Sequence, residues 1–181
     1  MKPGRQGAPL DLRQTLVTLL PDLRGYARFL ALDRVEADDL VQDALTRALA
    51  ALDGFTPDPD KPEAALKAWC FTILRNTFYA NRRRGRIERG VLTLVSGEAE
   101  ARSGGQEAHA DLSLLARAMA QLPDEQREAL VLVGAQGLDY AAAAAVCGTA
   151  VGTVKARVSR ARARLAVLLD AAAPAHLNPD A

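Results

Sequence analysis

The chain has 181 residues, 49% hydrophobic and 4% aromatic, with 23 basic against 22 acidic side chains and a formal net charge of +1. Abundant Ala and Leu with few aromatics favour an all-α chain over a sheet protein, with room for two small domains or one medium one. Two separated cysteines argue against a disulfide or metal site, and no apolar signal core or run of about 18 apolar residues is present, so a cytoplasmic protein with no membrane segment is expected.

After a disordered start (1–9), helical periodicity begins near Asp11, with Leu12, Leu16, Leu19, Leu23, Tyr26 and Leu30 recurring at three- and four-residue steps. Pro21 interrupts the pattern and opens a second helix at its first turn. Asp33 caps a helix through Leu52 whose buried stripe is Leu40, Val41, Ala44, Leu45, Ala48, Leu49 and Leu52, and Gly54 stops it. "FTPDPDKP", residues 55–62, is a loop. From Glu63 the spacing of Leu66, Trp69, Cys70, Ile73, Leu74, Thr77 and Phe78 is helical again and runs into "RRRGR". Trp69 shares the stripe of Leu66 and Ile73, which assigns it to the core. Residues 10–89 thus form one block.

Residues 90–110 are rich in Gly, Ser and Glu and lack periodicity, which predicts a flexible linker containing a solvated His109. Beyond it, residues 112–122, 123–136, 139–147 and 150–169 read as four helices with short connections, making a second block over 111–170 and a frayed tail from 171. Such a linker lets the blocks change relative position, and lets their basic faces fold toward its own acids when idle.

Charge is unevenly placed. Residues 31–54 carry Asp33, Glu36, Asp38, Asp39, Asp43 and Asp53 against two arginines, a net of about −4, whereas 61–90 total about +6. Residues 150–169 carry five bases and no acid. On a helical wheel Val151, Val154, Val158, Ala161, Leu165, Leu168 and Leu169 share one side. Opposite lie Gly152, Ala156, Ser159 and Ala163, bordered by Lys155 and Arg162 on one flank and by Arg157, Arg160 and Arg164 on the other. Small residues let a helix approach base edges, and flanking cations reach phosphates across a major groove about 12 Å wide. With the preceding helix, the Gly148-Thr149 turn and a cap at Thr149, this has helix-turn-helix spacing.

"LPDEQREALVLVGAQGLDY…AVGTVKARVSRARARL" resembles the C-terminal domain of bacterial sigma factors of the extracytoplasmic-function kind. "DDLVQDALTRAL" and "LKAWCFTILRNTFYANRRR" resemble their N-terminal domain, and "FTILRNTFY" and "LVGAQG" resemble the alphaproteobacterial general-stress-response group. The resemblance implies a region 2 type bundle, a flexible linker and a region 4 helix-turn-helix domain. It implies that Asp38, Asp39, Leu40, Val41, Gln42 and Asp43 dock on the clamp helices of the largest RNA polymerase subunit, with the β flap as a second contact. Arg75, Asn76, Tyr79, Asn81, Arg82, Arg83 and Arg84 match the reader of the start-proximal promoter element, whose flipped-out bases need stacking, polar and cationic groups. Thr153, Lys155, Ala156, Arg157, Ser159, Arg160 and Arg162 match the reader of the upstream element.

The implied partners are core polymerase, promoter DNA and an anti-sigma factor that a response regulator counters. No cofactor, metal, small-molecule substrate or catalytic site is expected, because the two histidines lie in the linker and the tail and no Gly-rich phosphate loop is present. The chain departs from the family at Ala141 and Ala142, where Glu is usual, at Ala156, where Ser is frequent, and in a longer loop over 55–69. Two alternatives are a helix-turn-helix regulator without sigma activity, which leaves the acidic helix unemployed, and a sigma-like decoy that binds an anti-sigma factor.

Overall fold

Aspartate caps start several of the helices. A computed structural model describes residues 11–96 and 114–172, and every regular element among them is helical. The Asp11 carboxylate accepts from the Arg13 and Gln14 amides at 3.0 and 3.1 Å and starts α1 (Leu12–Thr18). Pro21 sits in the first turn of α2 (Leu20–Ala31), where its missing N–H leaves no bond unmade. α2 stops at Leu32, a left-handed residue with φ 63° whose amide donates to the Arg28 carbonyl. Asp33 caps α3 (Arg34–Ala51) by accepting from the Glu36 amide at 2.8 Å.

Along α3, Ala37, Leu40, Val41, Ala44 and Ala48 are buried, but Leu49 is 50% exposed. The predicted stripe was one residue too wide: Leu49 lies about 100° round from Ala48, beyond the contact with the neighbouring helices. A 3₁₀ turn (Leu52–Gly54) and a proline-containing loop lead into α4 (Pro62–Ser96), 35 residues long. Trp69 stacks on Phe55 at the edge of the core, with ring centroids 4.8 Å apart. α4 buries Leu66, Cys70, Phe71, Leu74, Thr77 and Phe78, and packs against α2 and α3.

The backbone of α4 stays helical over 90–96, where the sequence predicts a linker. A single Gly costs a helix about 1 kcal/mol, too little to end one that continues into Val91, Leu92 and Leu94. The rest of the expected linker, 97–110, lies outside the described residues, as do 1–9 and 173–181.

The second unit comprises α5 (Leu114–Ala120), α6 (Asp124–Leu130) with a π-helical continuation over Val131–Ala135, α7 (Tyr140–Cys147) and α8 (Val151–Ala172). Asp139 caps α7 by accepting from the Ala142 amide at 2.7 Å. Gly148, at φ 62°, closes α7. The cap of α8 falls at Ala150 rather than Thr149: the Ala150 carbonyl accepts from the Thr153 and Val154 amides, while the Thr149 amide turns back to Ala144. α8 packs on α5, α6 and α7 and buries Val154, Val158 and Ala161, whereas Val151 at its open end is exposed.

The two units are joined in space. α4 packs along α7, α2 meets α6 and its π-helical continuation, and one hydrophobic cluster extends from Leu16 through Leu74 to Ala161. Among the described residues no helix is long and apolar enough to cross a membrane.

Candidate nucleic-acid interface

The outer face of α8 is built by exclusion. Val154, Val158 and Ala161 bury one side, so Lys155, Ala156, Ser159, Arg160, Arg162 and Arg164 are left exposed on the other, with Thr153 half-buried between. The small residues form a smooth strip and the cations border it, which is the arrangement a groove-inserted helix requires. Lys155 also lies over the Tyr140 ring, its Nζ 5.7 Å from the centroid. Arg157 differs from its neighbours. It is half-buried and its Nη2 donates to the carboxylate of Glu125 on α6, so it is already engaged within its own unit.

The basic face of α4 divides in the same way. Asn76, Arg83 and Arg84 are exposed and Asn81 is half-buried. The half-buried Arg75 and Tyr79, and Arg82, which is itself still exposed, turn toward the second unit. The Arg75 Nε donates to Glu128 Oε1 at 2.7 Å, and the Tyr26 and Tyr79 hydroxyls donate to the same carboxylate at 2.9 and 3.4 Å. Arg82 Nη1 donates to Asp124 at 2.6 Å. The Glu128 side chain has no exposure to solvent, so these donors replace its water. Burial pushes the Tyr79 hydroxyl up to about 12, and the neighbouring Glu128 charge adds to this. Tyr26 is raised well above 10 for the same two reasons in the same order. Burial disfavours the Arg75 charge, but Glu128 outweighs it and the guanidinium is held more firmly protonated than usual. Arg75 also lies over the Tyr79 ring, 4.7 Å from its centroid.

Beside Glu128, the buried Arg127 donates through Nε to the Phe29 carbonyl at 2.6 Å, through Nη1 to the Leu122 carbonyl at 3.0 Å, and through Nη2 to Asp124 at 2.7 Å. Asp124, Arg127 and Glu128 were not singled out from the sequence, and Tyr26 was read only as part of the apolar repeat of α1 and α2. One signal was available: Glu128 stands three and four residues before the buried Val131 and Leu132, a charged residue on an otherwise apolar face.

The acidic helix start separates by burial. Asp39, Gln42 and Asp43 are exposed and Asp38 is half-buried, so all four can meet a partner. Leu40 and Val41 are each 3% exposed and belong to the core. Their place in the helical period points them inward, where they hold α3 against its neighbours and support the exposed acids of the docking set from beneath. Asp39, Asp43 and Asn81 line an open cavity of about 510 Å³ that joins the acidic and basic faces.

Comparison with known proteins accounts for both units. Residues 16–87 match the Sigma-70 region 2 family and 112–165 match Sigma-70 region 4. The chain is 43% identical over 170 residues to the ECF RNA polymerase sigma factor EcfG of Rhodopseudomonas palustris, covering 94% of this chain and 91% of that one. This chain belongs to the extracytoplasmic-function sigma factors. A second relative, the RNA polymerase sigma factor CnrH of Cupriavidus metallidurans, is 36% identical over 156 residues, covering 80% of this chain and 79% of CnrH. Among solved structures, the sigma factor RpoE of Bartonella quintana, in complex with the anti-sigma factor NepR, superposes with a TM-score of 0.72 at 44% identity, covering 88% of this chain and 97% of that one. CnrH bound to the cytosolic domain of CnrY gives 0.61 at 33% identity, covering 90% and 89%.

In this sigma factor α1–α4 fall within or extend from the region 2 match and α5–α8 from the region 4 match, so the acidic face and both basic faces lie in sigma domains. A sigma factor is a transcription initiation factor rather than a catalytic enzyme. Of the departures from the family, Ala141 and Ala156 are exposed and Ala142 is half-buried, so the missing polar groups are lost from the surface rather than from the core.

Proposed function

We propose that this sigma factor docks on core RNA polymerase through Asp38, Asp39, Gln42 and Asp43 and reads a two-part promoter. The domain roles follow that division: region 2 over about 10–89 meets the start-proximal element and region 4 over about 111–170 the upstream one. Asn76, Tyr79, Asn81, Arg75 and Arg82–Arg84 are the start-proximal readers. Thr153, Lys155, Ala156, Ser159, Arg160 and Arg162 are the upstream readers, with Arg157 available once it leaves Glu125. The observation that carries this reading is the outer face of α8, where small and cationic residues are exposed together and no acid intervenes. The 91% coverage of EcfG supports extending it to the whole chain.

The regulatory partner is an anti-sigma protein, supported by the 44% identity to an RpoE seen with NepR, and the target genes belong to a stress response. The compartment is the cytoplasm, where core polymerase and DNA reside. Run-off transcription with purified core polymerase on a promoter library tests the proposal. Transcripts starting downstream of one shared two-part element are expected. A chain that binds DNA but starts no transcript is a helix-turn-helix regulator instead, and overturns it.

A further inference from the structure

We infer that Glu128 and Asp124 are a built-in occupant of the promoter-reading face of α4, holding the free chain closed and releasing it for single-stranded DNA. The inference rests on the assignment of Arg75, Tyr79 and Arg82 to promoter reading. Those are the α4 readers whose polar groups α6 already engages.

The geometry of Glu128 is that of a latch. Its carboxylate is wholly buried, yet the hydrogen bonds it accepts come from Tyr26 on α2 and from Arg75 and Tyr79 on α4, across the boundary between the units. A buried charge compensated from the other side ties closure to those particular side chains. An apolar residue there would glue the units through surface alone and would resist parting. A carboxylate is strongly hydrated when exposed, so opening recovers much of what separation loses. Two further bonds set the register of the closed form: Arg127 to the Phe29 carbonyl at 2.6 Å, and Lys67 to the Gln136 carbonyl at 2.8 Å.

The latch also imitates its competitor. A guanidinium and a phenol hydroxyl meet carboxylate oxygens as they meet phosphate oxygens, through charge-assisted hydrogen bonds. One Arg75 fork and one Tyr79 hydroxyl cannot serve Glu128 and a DNA strand together, so the two anions exclude each other. Asp124 makes the same claim on Arg82. Both readers keep exposed cations, Arg83 and Arg84 on α4 and Lys155, Arg160 and Arg162 on α8. Only α4 has its ring and its half-buried guanidinium held from the other unit, whereas α8 has Arg157 alone held, by Glu125 of its own unit. The free chain therefore withholds Arg75 and Tyr79 from single strands and weakens their binding, while its duplex-reading face stays largely open.

The partner-free full chain is the material for the test, as wild type, Glu128→Ala and Tyr26→Phe. Spin labels on introduced Arg47→Cys and Gln121→Cys, both exposed positions on opposite units and outside the faces assigned to DNA, report the distance between units. The native Cys70 and Cys147 thiols are pushed up to about 12 by burial and label slowly. Anisotropy is read with a mixed-sequence single strand of about 12 nucleotides and with a mixed-sequence duplex. Glu128→Ala is expected to lengthen the label distance and to tighten single-strand binding about tenfold, since apparent affinity follows the open fraction. Duplex binding should stay within about twofold, because α8 is exposed in both forms. Tyr26→Phe keeps its ring against Phe71 and removes one donor, so it should shift both readings less in the same direction if Glu128→Ala proves too unstable to purify. Unchanged distances in both variants, or separation without tighter single-strand binding, overturn the latch. Run-off transcription by the wild type reports on promoter reading alone: its absence counts against that reading, whereas the distance measurement judges closure.

Discussion

Arg157 and Arg160 stand one helical turn apart on α8, yet the structure expects them to contribute unequally to duplex binding. Arg160 is exposed and its Nε donates only to its own helix at the Ala156 carbonyl. The Arg157 side chain is 16% exposed and paired with Glu125, which must be released before a phosphate is gripped. Each phosphate neutralised contributes about −0.9 to the slope of log K against log salt, so one contact is worth about 3.5-fold in affinity between 50 and 200 mM salt. Arg160→Ala should flatten the slope by about that full unit, and Arg157→Ala by clearly less. Removing the competitor reverses the sign. Glu125 is 65% exposed, where an ion pair is worth about 0.2–1 kcal/mol, so Glu125→Gln should tighten duplex binding by no more than about fivefold. Fluorescence anisotropy on a duplex carrying the upstream element, repeated across a salt series, measures all three. Equal slope losses for Arg157→Ala and Arg160→Ala, with Glu125→Gln indistinguishable from wild type, would refute the argument that Glu125 restrains Arg157.

Other expectations follow from burial and backbone geometry. Leu40→Ala should lower the unfolding free energy by about 2–5 kcal/mol in urea melts, whereas Asp39→Lys should stay within about 0.5 kcal/mol and lose affinity for core polymerase in a pull-down. Gly148→Ala meets no atom within 4 Å but is forced to φ 62°, which costs about 1–2 kcal/mol, whereas Gly152→Ala inside α8 should stabilise by about 1 kcal/mol; urea midpoints separate the two. Burial works to raise the Asp124 pKa, but the Arg82 and Arg127 guanidiniums outweigh it and hold the carboxyl below its usual 3.8. Its contribution to stability is therefore present above about pH 4 and is lost as pH falls through the depressed value, and Asp124→Asn should flatten the acid limb of a stability–pH curve.

Local chemistry is written in local sequence, and so the helices were legible. The Asp11, Asp33 and Asp139 carboxylates cap amides two or three residues on, and Pro21 opens α2 where an amide is dispensable. The α8 wheel sorted Val154, Val158 and Ala161 from Lys155, Arg160 and Arg162, because 3.6-residue periodicity states which side of a helix is dry. Periodicity also overreached. It grouped the half-exposed Leu49 with the core stripe, although it placed Leu40 and Val41 there correctly. Which basic residues are free was not legible at all. Arg75 and Arg82 look like their neighbours Arg83 and Arg84 in sequence, and differ because α6 lies against them. Glu128 meets Tyr26 and Arg75 across 102 and 53 residues of chain, and a separation of that size leaves no periodic trace in either segment. The sequence by itself decided where charge gathers and which helices carry it. Tertiary packing decided which of those charges are already answered within the chain, since a carboxylate's partner is set by which helix lies against it.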